Sequence, residues 1–183
     1  MLDPTIAHNY ADALVALARR AGDLPGWGAM ISDVSDALQR DDRLRLFLES
    51  PRISAEQKNE ILARAFQDRM PRLFVRFLQA VVTHNRQRLI PEIAIEYHGI
   101  VDELENRVHA QVTVAREPDP ELKATVSRGI SRALGKTVVP HFVVRPEILG
   151  GVVVRVGDVV MDGSVRNRLR ALRHRMMSGG IAR

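Results

Sequence analysis

Apolar positions recur at intervals of three and four through roughly the first hundred residues and then at intervals of two, so the chain changes structural period near residue 109. Ile6, Tyr10, Ala13, Leu14 and Leu17 mark a first helix, opened by Asp3 as N-cap with Pro4 in the first turn and closed by Gly22. Asp23 and Pro25 open a second, with Trp27, Met30, Ile31, Val34 and Leu38 on its apolar side. A short third segment carries Leu44, Phe47 and Leu48 before Ser50 and Pro51. Ser54 followed by Gln57 forms a capping box for a fourth helix, which is expected to bury Ile61, Leu62, Ala65 and Phe66 and to end near Asp68.

From Pro71 a strongly apolar fifth helix presents Leu73, Phe74, Phe77, Leu78, Val81 and Val82 over nearly half its circumference, which predicts the centre of a bundle. THNRQRLIP interrupts it, and a long sixth helix from Pro91 is expected to carry Ile93, Tyr97, Ile100, Val101, Leu104 and Val108 on one face. Six helices joined by short loops imply an antiparallel bundle over residues 1–105.

In the remainder, Ala110, Val112 and Val114 alternate with Gln111 and Thr113 as in a half-buried strand. Asp119 and Pro120 cap a helix with Leu122, Val126, Ile130 and Leu134 inward, ended by Gly135, and TVVPHFVV reads as a second strand. EILGGVVVRVGDVVMDGS then supplies two apolar runs around Gly157 and Asp158, a hairpin signal, with Asp162 or Ser164 as the cap of a final helix. That helix places Val165, Leu169, Leu172 and Met176 on one stripe among Arg166, Arg168, Arg170, Arg173 and Arg175. The expected fold class is α+β: an N-terminal six-helix bundle, then a small α/β region over residues 106–183 with a hairpin and a final helix.

Charge sharpens this division. Residues 1–105 hold 13 Lys and Arg against 16 Asp and Glu, whereas residues 106–183 hold 14 against 6. Two regions with different partners are implied, the second basic. The absence of cysteine excludes disulfides, thiolate nucleophiles and thiolate metal sites. No apolar run approaches the roughly 18 residues of a membrane span, and MLDPTIAHNY lacks the regions of a signal peptide, so a cytoplasmic protein without direct membrane insertion is expected.

The candidate chemistry is thin. GISRALGKT, residues 129–137, approaches a phosphate-binding loop, but five residues separate its glycines where that loop has four. Its order of helix, glycine and strand is also the reverse of strand, loop and helix, so Gly135 reads as a helix C-cap. Among histidines 8, 84, 98, 109, 141 and 174 no pair stands at i, i+4 around a glutamate, and no GxSxG elbow occurs. Neither catalysis nor a cofactor or metal is expected. The alternative from another class is an RNA-binding helical protein using the C-terminal arginines. Against it stand the lack of aromatic stacking platforms and a chain that uses 24 Arg to 3 Lys throughout.

The stretch LGGVVVRVGDVVMDGSVRNRLRAL, residues 149–172, is similar to one family, the delta subunits of F-type ATP synthases, whose mitochondrial homologue is the oligomycin-sensitivity-conferring protein. It carries the glycine pair Gly150 and Gly151, the turn Gly157 and Asp158, the cap Asp162 to Ser164 and the spaced leucine Leu169. A looser, colinear likeness covers the rest: Tyr10 with Ala11, Trp27, and Arg86 before a Leu-Ile-Pro segment. His84 and Asn85 depart from the Asn and Gly common before that arginine.

The resemblance implies a non-catalytic stator subunit, peripheral at the cytoplasmic face of the bacterial plasma membrane. It also implies two partners: the N-terminal helix of an alpha subunit, laid in a groove between the first and fifth helices, and the C-terminal end of the b subunits of the peripheral stalk. No nucleic acid partner is implied. On this reading Tyr10, Ala13, Leu14, Leu78, Val82 and Arg86 line or border the alpha-subunit groove, and periodicity leaves open which face the groove and which the core. The wide apolar arc of the fifth helix and the amphipathic Tyr10 suit such a groove.

Overall fold

The computed structural model describes residues 4–66 and 69–178. The chain divides into two compact units, Met1–Asp102 and Glu103–Arg183. The first contains α1 (Pro4–Ala21), α2 (Leu24–Arg40), α3 (Asp42–Glu49), α4 (Ala55–Phe66), α5 (Arg72–Thr83), a single 3-10 turn (Gln87–Leu89) and α6 (Ile90–Leu104), the division falling in the last turn of α6.

The boundaries follow from local chemistry. Gly22, at φ 72°, ends α1: its N–H donates to the Arg19 carbonyl and that of Asp23 to the Ala18 carbonyl. Asp23 Oδ1 then accepts from the Gly26 N–H at 2.8 Å, and Asp41 Oδ1 from the N–H groups of Arg43 and Leu44 at 2.8 and 3.3 Å. The predicted capping box is present, with Ser54 and Gln57 exchanging two bonds of 3.3 Å. Asp3 and Asp68, the expected start of α1 and end of α4, lie outside the described residues.

Phe74, Val81, Val82 and Leu78 of α5 are buried among Leu14 and Ala18 of α1, Trp27 and Ile31 of α2, and Ile93 and Tyr97 of α6. Phe74 meets Trp27 edge to face at 5.6 Å, and the Tyr97 hydroxyl, on a fully buried ring, donates to the Leu24 carbonyl at 2.8 Å. The 3-10 turn is held by buried Gln87, whose Nε2 donates to the Leu48 carbonyl at 2.9 Å.

The structure corrects several expected core positions. Ile61, Ala65 and Leu73 are exposed. The main neighbour of α4 is α5, which covers only a narrow stripe around Leu62. The sixth helix stops at Leu104, itself exposed, and Val108 belongs to a strand. Asn106 adopts φ 50°, which a short amide side chain tolerates and which ends the helix two residues before Val108.

The second unit runs β1 (Arg107–Val114), α7 (Pro120–Leu134), β2 (Thr137–Val144), a 3-10 turn (Pro146–Ile148), β3 (Val152–Val156), β4 (Val159–Asp162) and α8 (Val165–Ser178). The sheet order is β2-β1-β3-β4; β1 and β2 are parallel, with Val112 opposite Phe142, and the other pairs are antiparallel. Pro140 is accommodated because β2 is an edge strand. Ala110, Val112, Val114, Val138 and Val154 form the buried face with Ile130 of α7, whereas Leu122, expected inward, is exposed in that helix's first turn.

Phe74→Ala is expected to cost about 3–5 kcal/mol of first-unit stability through the cavity it leaves, and Tyr97→Phe about 1 kcal/mol through loss of one buried hydrogen bond. Urea denaturation followed by Trp27 fluorescence measures both.

Candidate functional site

The residues proposed from sequence for the groove separate into two layers. Leu14, Leu78 and Val82 are almost completely buried and belong to the core; Tyr10 is half-buried, and Ala13 and Arg86 are exposed. On α1, Ile6, Tyr10, Ala13 and Leu17 stand at i, i+4, i+7 and i+11, a second apolar stripe beside the core stripe. On α5 the corresponding positions are Leu73, Phe77 and Ala80, of which Leu73 is 46% exposed. The helices meet where the Tyr10 ring packs edge to face on Phe77 at 6.3 Å. The result is an apolar seam with the tyrosine at its middle and core residues beneath it. Sequence does not single out Ile6, Leu17, Leu73, Phe77 and Ala80 as groove residues; the signal for the last three is the width of the α5 apolar arc, and for Ile6 and Leu17 their place in the apolar periodicity of α1.

Arg86 is placed by the end of α5. Its N–H donates to the Val81 carbonyl at 2.9 Å and that of Asn85 to the Val82 carbonyl at 2.9 Å, the two bonds of a Schellman cap. Asn85 sits at φ 55°, the conformation that favours glycine, so asparagine preserves the turn in front of the arginine.

In the second unit the glycine-rich motif is structural. Gly151, at φ 75°, lies so close to the next crossing of the chain that an added Cβ would stand 2.5 Å from the Gly163 carbonyl oxygen. Gly157, at φ 55°, takes the first place of the two-residue turn, with Asp158 in the second, between β3 and β4. Buried Ser164 accepts the Asn167 N–H at 3.1 Å, and Asp162 accepts the Ser164 N–H at 2.9 Å, so both expected residues cap α8. Bonds from the Ser164 side chain and backbone hold the Asp162 carboxyl below its ordinary value of 3.8, with smaller help from Arg170 and Arg166. The lowered pKa makes this contribution complete above the ordinary value and lost as pH falls through the native one.

Leu169 lies within an uncovered surface. Val165, Leu169, Leu172 and Met176 are all exposed, the last at 80%, and five arginines and no acidic residue accompany them on α8. Beside the start of this helix, Leu122, Pro146, Leu149 and Val152 line a cleft of about 640 Å³. Leu149 is 66% exposed and at φ 64°, an unusual conformation for a leucine. Among the described residues no three His, Asp or Glu side chains are grouped to hold a metal ion, and no helix is long and apolar enough to cross a membrane.

The described features are a helical bundle with an apolar seam and a sheet unit with an exposed basic helix, the build of an α+β protein with surfaces in place of a catalytic pocket. The sequence matches the family described as ATP synthase delta (OSCP) subunit over residues 6–176, and the chain belongs to that family. It is similar to the ATP synthase subunit delta of Gemmatimonas aurantiaca, 56% identical over 172 residues that cover 94% of this chain and 93% of that one. To the subunit delta of Desulforamulus reducens it is 34% identical, covering 97% and 98%. The fold is shared with a chain in the Toxoplasma gondii mitochondrial ATP synthase hexamer, at TM-score 0.57 and 21% identity, covering 93% of this chain and 97% of that chain. The protein is thus a structural part of ATP synthase, a stator component of the F-type complex.

Gly151→Ala should destabilise the second unit by at least about 2 kcal/mol, since backbone conformation and backbone contact both oppose a side chain. Gly157→Ala, which meets nothing within 4 Å, should cost only about 1–2 kcal/mol. Thermal unfolding of the two variants side by side checks the order.

Proposed function

We propose that the α1–α5 seam accepts the N-terminal helix of an ATP synthase alpha subunit and that the basic second unit meets the C-terminal end of the b subunits. The protein then braces the catalytic head against the torque of the central shaft without performing chemistry itself, peripheral at the cytoplasmic face of the bacterial plasma membrane. The observation that carries the reading is the paired stripe of Ile6, Tyr10, Ala13 and Leu17 with Leu73, Phe77 and Ala80, joined at the Tyr10–Phe77 contact. An amphipathic helix laid along it would cover apolar surface that the bundle leaves uncovered.

In this reading Tyr10, Ala13 and Arg86 touch the alpha helix, while Leu14, Leu78 and Val82 hold the seam in shape from below. A tyrosine at the middle of the surface is the residue type that dominates such interfaces. Against the RNA-binding alternative stands Phe142, the one aromatic of the second unit, which is half-buried and beneath Lys123 at 6.0 Å and so offers little open platform for a base.

Binding of a synthetic peptide of the alpha N-terminus is expected to weaken by about 2 kcal/mol or more in Tyr10→Ala and similarly in Leu73→Asp, with the bundle still folded. Calorimetric titration measures this, and unchanged affinity in both variants rules the seam out.

The second unit is expected to bind the b C-terminal segment through the α8 stripe and its arginines. Leu169→Asp with Leu172→Asp should abolish that binding, and raising salt from about 0.05 to 0.5 M should weaken it in the unmodified protein. Salt-insensitive binding would remove the arginines from the interface.

A further inference from the structure

We infer that His109 and His141 form a two-histidine binding site for a late first-row divalent metal ion, of which Zn²⁺ is the representative. The two lie on the adjacent parallel strands β1 and β2: His109 is opposite Val139, and His141, two residues further on, is opposite Gln111. Both rings project from the sheet face opposite the buried Ala110, Val112 and Val138. They stack at 5.1 Å with an interplanar angle of 22°, and His109 Nδ1 is 2.8 Å from His141 Nε2.

That contact already aims two imidazole nitrogens at one another, one donating and one accepting. Replacing the bridging proton by a metal ion requires both nitrogens unprotonated and converging on a common point. At a Zn–N distance of about 2.0–2.1 Å and a tetrahedral angle, the two nitrogens stand about 3.3 Å apart. The rings therefore need to open by roughly half an ångström, which exposed side chains on a sheet surface accomplish by rotation.

The donor set decides the class of ion. Two neutral nitrogens suit Zn²⁺, Ni²⁺, Co²⁺ or Cu²⁺ and not the oxygen-seeking Mg²⁺ or Ca²⁺. No third His, Asp or Glu joins them among the described residues, so water completes the coordination. Arg107, two residues before His109 on the same strand, is paired with Glu105 at 2.9 Å, and Arg155, opposite Gln111, donates Nε to the Gly157 carbonyl at 3.2 Å. Arg155 opposes a metal that binds by charge alone and leaves coordinate bonding to imidazole nitrogen as the selecting force. Bound there, the ion ties edge strand β2 to β1.

The test is calorimetric titration of the full-length, chelator-stripped protein with zinc chloride in a non-coordinating buffer near neutral pH, accompanied by NMR of the histidine rings. The expected result is saturation at one ion per chain, with two sets of ring resonances shifting. Outer-shell changes alone cost about 10–100-fold in metal affinity, so loss of a ligand in His109→Gln or His141→Gln should weaken binding by at least about tenfold. His84→Gln and His174→Gln should leave it unchanged. Matching unfolding temperatures of the metal-free variants exclude misfolding as the cause. Absence of saturable binding, or binding that survives both His109→Gln and His141→Gln, overturns the site.

Discussion

The packing of Phe74 against Trp27 governs the first unit. An aromatic pair at 5.6 Å in edge-to-face contact, both rings almost fully buried, fixes how α5 lies on α2. The Tyr97 bond to the Leu24 carbonyl then joins α6 to the start of α2. With α5 held on that side, Phe77 is buried against Tyr10 of α1 while Leu73 and Ala80, four residues before and three after it, are left exposed. The seam is thus a consequence of how the core is satisfied, and on the proposed reading a docking helix completes a surface that the bundle itself does not close.

The second unit is governed by backbone more than by volume. Its core is a single layer of valines and alanine under α7, too small to dictate the path of the chain beyond β3. That path is set by glycine: Gly151 passes under Gly163 where no side chain fits, and Gly157 turns the hairpin. Asp162 and Ser164 then start α8 in a fixed direction, although the stripe of that helix meets no core. A helix capped so firmly and covered so little presents the kind of exposed apolar patch that marks an interaction site.

The same view explains the charge distribution. The first unit is slightly acidic and the second basic, as the proposed pair of different partners requires, and the arginines of α8 surround an apolar stripe. In the proposed interface, charge at such a rim contributes to encounter and specificity, while the leucines and methionine supply the area that slows dissociation. A brace under torque depends on slow dissociation.

Periodicity, caps and turns are local, and they were legible without coordinates. The Ser54–Gln57 box, Gly22, Gly135, the Gly157–Asp158 turn and the whole of β2 can be read from neighbouring residues, because each is decided by backbone sterics or by one short hydrogen bond. The glycine-rich motif that points to the family belongs to the same class. What sequence left open was the destination of each apolar residue. Leu14 and Tyr10 lie on one apolar side of α1, as Val82 and Leu73 do on α5, yet one of each pair is sealed in the core and the other reaches the surface. Ile61 and Leu122 read as core and are exposed; Val108 reads as helix and is strand. Whether a side chain is covered depends on which neighbouring elements reach it, and that is a property of the assembled tertiary structure that no local pattern contains. The His109–His141 pair arises the same way, from residues 32 apart that only the parallel pairing of β1 and β2 brings into contact.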